Sequence, residues 1–281
     1  MNTINLNFIR PNRTIKLLSR LIVLGLLATT EAFTQNFWQQ TNGPYGGAPY
    51  GRTVYALVIN SRGHIFAGTQ ESGVFRSIDN GDTWRHIGLA NTFVLSLAIN
   101  SSGDIFAGTS GGVFRSSDNG DSWMPVNTGL TDTRVQCLVI NLTTRDIFAG
   151  TFQNGIFRST DNGDTWEHIG LPFTSVQSLA INSIGHIFAG GEYRGVYRSV
   201  DNGDSWTEVN VGLANDTDIN ALAINSNGYI FAGTGRGVFR TTDNSDTWKQ
   251  VGSPAFVRSL VINSQGHIFF CSYRLVLSLY R

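Results

Sequence analysis

The sequence is poor in cysteine, proline and charge. Only two of its 281 residues are cysteines and six are prolines, so a small fold held by a disulfide framework is excluded. Charged residues make up 14% of the chain, and 20 basic residues balance 20 acidic ones. A nucleic-acid partner normally requires a basic patch. The even charge therefore predicts that the chain does not bind nucleic acid.

The N-terminal region lacks an apolar run long enough to be a membrane span. Four basic residues up to Arg20 precede the run Leu21 to Ala28, and small residues then lead to Ala32. Spanning a bilayer needs about 20 apolar residues, whereas this order is typical of a secretory signal. We therefore predict a signal peptide over 1–32 and a mature chain over 33–281 with no membrane span. The mature chain is expected to be secreted, periplasmic or on the cell surface.

Glycine, by contrast, is abundant at 32 residues, and the mature chain is repetitive. Six segments that alternate apolar with small or polar residues, such as TVYALVIN and FVLSLAIN, end on an asparagine. These asparagines are Asn60, Asn100, Asn141, Asn182, Asn225 and Asn263, at spacings of 40, 41, 41, 43 and 38 residues. Alternation with period two predicts strands, and regular recurrence at this spacing indicates a repeat architecture.

Each repeat predicts four short antiparallel strands. The first strand is followed by a turn that reads Asn-Ser-x-Gly in five of six copies, and a second strand such as HIFAGT follows it. A third strand such as GVFRS leads into an aspartate-rich octet, after which a tryptophan opens the fourth strand. Four strands per repeat of this length are typical of a β-propeller blade. We therefore predict an all-β fold, a β-propeller with six four-stranded blades.

The count of strands predicts how the propeller closes. The sixth repeat has no fourth strand of its own, whereas the mature N-terminus carries a spare one that begins at Trp38. We expect the Trp38 strand to pair with the segment Leu275 to Tyr280 and complete the last blade. The alternative is that the chain is a fragment of a larger propeller, because the sequence drifts from the repeat near its end.

The octet that ends each third strand, here called the Asp octet, occurs five times, first as SIDNGDTW. Its first aspartate and its tryptophan recur as Asp79, Asp118, Asp161, Asp201 and Asp243, with Trp84, Trp123, Trp166, Trp206 and Trp248. A calcium loop would need further spaced ligands that the octet lacks. A short carboxylate can instead accept hydrogen bonds from the N–H groups of its own turn. We predict a structural turn, with no metal and no cofactor.

The octet resembles the Asp-box, or BNR, repeat of sialidase-like, sortilin-type and photosystem II assembly factor-like propellers. The resemblance covers 33–281 and implies a propeller, but it implies little about activity. Sialidases use three arginines to hold a carboxylate, whereas the arginines here repeat in register on the third strands. We expect these arginines to pair with the octet turns instead: Arg76, Arg115, Arg158, Arg198 and Arg240.

Loops between the second and third strands differ from blade to blade and predict the binding surface. They should lie on the face opposite the octets, together with the connections between blades, and binding residues concentrate on such loops. The candidate ligand-binding residues are Phe152, Gln153, Glu192, Tyr193, Arg194, Arg236, Tyr273 and Arg274.

No catalytic residue is assigned, because no acid–base pair stands outside the repeat. The sequence thus favours an exported, non-catalytic monomer that binds a protein or a glycan. One alternative is a glycoside hydrolase of sialidase-like or endo-acting type, for which Glu192 beside Tyr193 gives the only hint. Another is an envelope assembly or sensor module.

Overall fold

The structure is a computed structural model that describes residues 43–44, 53–172, 174–213, 217–243, 247–252, 256–271 and 276–279. The predicted signal peptide, the Trp38 strand, Tyr273 and Arg274 lie outside these residues. No helix in the described part of the chain is long and apolar enough to cross a membrane.

The described residues form six antiparallel sheets in chain order, five with four strands and one with three. The first sheet contains β1 (Val54–Ile59), β2 (Ile65–Thr69), β3 (Val74–Ser77) and β4 (Arg85–Gly88). The second contains β5 (Val94–Ile99), β6 (Ile105–Thr109), β7 (Gly112–Ser116) and β8 (Met124–Pro125). The third contains β9 (Val135–Ile140), β10 (Ile147–Thr151), β11 (Ile156–Ser159) and β12 (Glu167–Gly170).

The other three sheets repeat this plan. The fourth contains β13 (Val176–Ile181), β14 (Ile187–Gly191), β15 (Gly195–Ser199) and β16 (Thr207–Glu208). The fifth contains β17 (Ile219–Ile224), β18 (Ile230–Thr234), β19 (Gly237–Thr241) and β20 (Lys249–Gln250). The sixth contains β21 (Ser259–Ile262), β22 (Ile268–Cys271) and β23 (Val276–Leu279). Fourth strands begin one residue after the tryptophan, rather than on it.

The sheets are the blades of a β-propeller, which confirms the predicted fold class. Each first strand contacts the first strand of the next blade, from β1 through β5, β9, β13 and β17 to β21. The first strands are therefore innermost. The predicted closing pair involves Trp38, which lies outside the described residues.

The core lies between successive blades and explains the recurrent Phe-Ala-Gly of the second strands. Phe66 of blade 1 is fully buried in one cluster with Val94 and Leu97 of blade 2. A Cβ added at Gly68 would lie 2.6 Å from Cγ1 of Val94. The glycine is thus required because the next blade packs directly against the second strand.

The interfaces between blades alternate between two types, which the repeat pattern did not predict. Trp123 packs against Gly88 at the end of β4, where an added Cβ would come within 2.7 Å of its ring. In the following interface the Trp166 backbone N–H instead donates to the Thr128 carbonyl at 2.8 Å. The tryptophan indole N–H donates to a carbonyl of the preceding blade in both types, Trp123 to Ile87 at 3.1 Å and Trp166 to Val126 at 2.8 Å. Blades 3 to 5 show the same alternation, with Trp206 against Gly170 and then Trp248 donating to Val211.

We expect Gly129→Ala to destabilise the second type of interface strongly. Gly129 has φ +86°, and an added Cβ would lie 2.2 Å from the carbonyl oxygen of Trp166. The matched control is Gly103→Ala, because Gly103 has φ +91° with open space around it. Gly103→Ala should cost about 1–2 kcal/mol for the left-handed backbone alone, and Gly129→Ala more than about 3 kcal/mol. Equal losses in denaturant unfolding would contradict this account of the interface.

Candidate functional site

The Asp octet forms a turn closed by its own side chains. The Ser77 hydroxyl accepts the Gly81 N–H and donates to Asp79 Oδ1, both at 2.8 Å. Asp79 also accepts the Thr83 N–H at 2.9 Å and the Thr83 hydroxyl at 2.5 Å. Asn80 and Gly81 both have positive φ, at 58° and 95°, a backbone conformation that asparagine and glycine tolerate.

The same bonds to the aspartate recur in the other octets and lower its pKa. The hydroxyl of Thr83 is the main cause of a pKa of about 2 for Asp79. Asp118 and Asp201 also have a pKa of about 2, mainly because of Ser122 and Ser205. Asp243 reaches about 2 mainly through Thr241, and the hydroxyl of Thr165 lowers the pKa of Asp161. The five carboxylates are therefore ionised at neutral pH and hold their turns, which does not suit a general acid.

Three of the five third-strand arginines, Arg76, Arg115 and Arg158, bind the octet of the following blade, whereas the Arg240 guanidinium lies 5.7 Å from the centre of the Tyr229 ring. Arg115 donates to the Asn162 carbonyl at 2.7 Å and to Asp164 at 2.8 Å. Arg158 repeats this pattern on the Asn202 carbonyl at 2.9 Å and on Asp204 at 2.8 Å. These arginines are therefore bound within the octet face, defined as the end of the propeller that carries the octets.

Turns between first and second strands lie on the octet face too. The Asn60 side chain donates to Asn119 Oδ1 at 2.9 Å, and Asn100 donates to Asn162 Oδ1 at 2.9 Å. The turns of blades 1 and 2 are thus tied to the octet of the next blade. No group of three or more histidine, cysteine, aspartate or glutamate side chains that could hold a metal occurs among the described residues.

The opposite end of the propeller, the loop face, carries the variable loops. In blade 3, the Phe152 N–H donates to the Arg134 carbonyl at 3.0 Å, and the Arg134 guanidinium lies 4.1 Å from the centre of the Phe152 ring. Asp132 accepts the N–H groups of Gln153 at 2.8 Å and Asn154 at 3.2 Å. The loop is therefore held by the segment that enters its own blade.

The blade 4 loop displays an exposed aromatic side chain on this face. The Tyr193 side chain is 62% exposed, although its backbone is fixed at φ 55°. Its N–H donates to Asp218 Oδ1 at 2.8 Å, at the entry to blade 5. The Glu192 N–H donates to the Ser175 carbonyl at 3.0 Å, and the Arg194 carbonyl accepts the Asn210 side-chain N–H at 3.1 Å.

The predicted loop residues that the structure describes lie in three consecutive blades. Phe152, Gln153, Glu192, Tyr193 and Arg194 belong to neighbouring blades 3 and 4. Arg236 lies in blade 5, where its N–H donates to the Thr234 hydroxyl at 3.0 Å.

The two cysteines offer no reactive thiol to either face. Neither Cys137 nor Cys271 forms a disulfide, and both are buried. Burial raises the pKa of the Cys137 thiol to about 12 and that of Cys271 to about 11. Thiolate nucleophiles need a lowered pKa, so neither residue suits nucleophilic catalysis.

Sequence reasoning missed a set of residues at the loop-face end of the first strands. In β1 the pairing with β2 shifts between Val54 and Ala56, which leaves Tyr55 as an extra residue in a β-bulge. The same shift occurs in β5, β9, β13 and β17. The sequence signal was a variable position in each first strand. It follows a Val or Ile and precedes a small residue. The extra residues are Tyr55, Leu95, Gln136, Gln177 and Asn220.

Comparison with solved structures supports the propeller fold. The extracellular domain of a one-component system from B. thetaiotaomicron is similar over 85% of this chain, with a TM-score of 0.72 and 16% identity. A GH74 xyloglucanase from Xanthomonas campestris is similar over 80% of the chain, with a TM-score of 0.67 and 16% identity. YCF48 bound to a D1 peptide is similar over 78% of the chain, with a TM-score of 0.62 and 15% identity.

These similarities show the fold alone. This chain covers 34% of the length of the one-component system domain, 44% of the xyloglucanase and 75% of YCF48. No family model matches the chain, and a search of the curated proteins finds no match either. The chain is a β-propeller, and its function must be argued from its own residues.

Proposed function

We propose that the chain is an exported, non-catalytic propeller of the Asp-box type that binds a protein or a glycan through its loop face. The observation that carries the proposal is the contrast between the faces. On the octet face the repeated side chains bind each other, whereas on the loop face each loop has its own sequence on a fixed backbone. Exposed aromatic and arginine side chains on a rigid surface favour binding of a partner.

Export is supported by the basic and apolar segments of 1–32 and by the similarity to the extracellular domain of the one-component system. Expression of the whole chain in a bacterial host should release a mature protein that begins at Phe33. N-terminal sequencing of that protein checks the expected cleavage site. A protein retained in the cytoplasm with residues 1–32 intact would contradict the proposal.

The loop face is tested with mature protein 33–281 on a glycan array and in pull-down experiments with defined envelope proteins. Replacing Phe152, Tyr193, Arg194 and Arg236 together by alanine should weaken any detected interaction at least tenfold. The control replaces Ile78 and Val200 by serine, because these exposed apolar residues lie in the octets. If the first variant keeps the interaction and the control variant loses it, the partner binds to the octet face and not to the loop face.

A glycoside hydrolase is the second candidate, favoured by the similarity to the GH74 xyloglucanase. Such enzymes place two carboxyl groups, or a tyrosine with a carboxylate partner, across the bond that they cleave. Glu192 and Tyr193 are adjacent residues of one loop. Turnover of a polysaccharide panel that is abolished by Glu192→Gln would establish this function instead of the first.

An envelope assembly or sensor module is the third candidate, favoured by the similarity to YCF48 and to the one-component system domain. In that case the partner would be a protein of the same envelope. A defined protein partner in the pull-down, without any glycan bound on the array, would support it.

A further inference from the structure

The five β-bulges place chemically different side chains at the same position of five successive blades. These five residues are called the inner arc: Tyr55, Leu95, Gln136, Gln177 and Asn220. Each follows a fully buried Val or Ile and precedes Ala, Ser or Cys. All five inner-arc residues are partly exposed. A bulge re-aims the extra side chain and is common beside functional sites. The backbone of the inner arc is thus repeated, whereas its side chains are not.

The inner arc lies at the loop-face end of the innermost strands and is linked to the variable loops. The Gln136 side chain donates from Nε2 to the Ser175 hydroxyl of the next blade at 2.8 Å. The carbonyl of the same serine accepts the Glu192 N–H. Asn220 likewise reaches the next blade, where its Nδ2 donates to the Val257 carbonyl at 3.0 Å. Contacts of this kind fix the amides in place before a ligand arrives.

We propose that the inner arc is the specificity-determining site of the loop face and that it binds a neutral oligosaccharide. The inference rests on the proposed function and deepens it. Three of its five members are amides, one is a phenol and one is a leucine. Arg258 takes the corresponding position of blade 6, where its guanidinium lies 5.9 Å from the centre of the Phe256 ring. An amide presents a donor and an acceptor side by side, which matches neighbouring sugar hydroxyls that both donate and accept. Tyr193 adds an exposed aromatic ring on the same face, suited to the apolar side of a sugar.

The bulges also argue against an extended peptide in this position. A peptide that adds to a sheet needs a continuous row of N–H and C=O groups along the strand edge. Each innermost strand from β1 to β17 is interrupted by its bulge at the loop-face end. A bulge disrupts the ladder locally. A ligand held by side chains at this end is therefore favoured over one held by backbone pairing.

The experiment measures binding of hexasaccharides of glucose, xylose and mannose to protein 33–281 by isothermal titration calorimetry. Gln136→Ala with Gln177→Ala should weaken binding of the preferred sugar at least tenfold. The control is Gln265→Ala, an exposed glutamine in a turn of the octet face, which should leave the affinity within twofold. If the double alanine variant does not fold, Gln136→Glu keeps the size of the side chain and removes its N–H donors.

The outcomes separate this inference from the proposed function. Loss of sugar binding in both the inner-arc and the loop variants supports both. Loss in the loop variant alone overturns the role of the inner arc and leaves the loop-face proposal standing. Binding of a peptide or protein to the loop face, with no neutral sugar bound, overturns the oligosaccharide but keeps the face. Binding that neither variant changes overturns both proposals.

Discussion

Lowering the pH from 5 to 2.5 is expected to reduce the melting temperature of the propeller steeply. The first aspartate of each octet has a lowered pKa, about 2 for four of them against an ordinary value of 3.8. A carboxylate with a lower pKa in the folded state stabilises that state above the ordinary pKa. The contribution is lost as the pH falls from about 4 towards 2. Because five octets lose it in the same window, the losses should add.

The variant Asp118→Asn with Asp201→Asn tests the cause. Asparagine can still accept the turn N–H through its oxygen, but its amide group cannot accept the serine hydroxyl that Asp118 and Asp201 bind at 2.5 Å. The variant should melt several degrees lower than the parent protein at pH 7, and the gap should narrow at pH 2.5. Melting curves by circular dichroism at pH 7, 5, 4, 3 and 2.5 provide the measurement. A gap that stays constant with pH would show that these carboxylates do not cause the acid sensitivity.

The octet turn illustrates how far sequence reasoning reaches. Its internal bonds follow from residue types alone, because a short carboxylate two positions after a hydroxyl residue can accept bonds from its own turn. The partners across blades do not follow from the sequence. That Arg158 binds the octet of the next blade depends on the rotation between blades, which a repeat spacing does not encode.

The loop face was predicted in outline and not in detail. The antiparallel order of four strands places the variable loops opposite the octets, and the described strands follow that order. The bulges escaped prediction because a two-residue alternation assumes an unbroken register. Tyr55 and Gln136 read as ordinary positions of an alternating strand, although they are the extra residues of their bulges. A register shift becomes visible only when both strands of a pair are placed.

Closure of the propeller leads to the second prediction of large effect. The sixth sheet has three strands among the described residues, with β23 at its edge. An unpaired edge exposes backbone groups to pairing with other chains, and the other five sheets each have a fourth strand. We therefore expect residues 33–43, which contain Trp38, to supply the missing strand. Deleting them should lower the melting temperature by about 10 °C or more, since losing a buried tryptophan alone costs about 3–5 kcal/mol and each 1 kcal/mol corresponds to about 2–4 °C.

The comparison is between protein 33–281 and protein 44–281, with Trp38→Ala in protein 33–281 as the single-residue variant. Both changes should lower the melting temperature, and a synthetic peptide of residues 33–43 should restore much of the loss when added to protein 44–281. Protein 44–281 should also be more prone to aggregate, because β23 would then lack its expected partner strand. If protein 44–281 has the same melting temperature as protein 33–281, and the peptide does not change it, the N-terminal strand does not close the last blade. The chain would then be better explained as a fragment of a larger propeller, in which another segment pairs with β23.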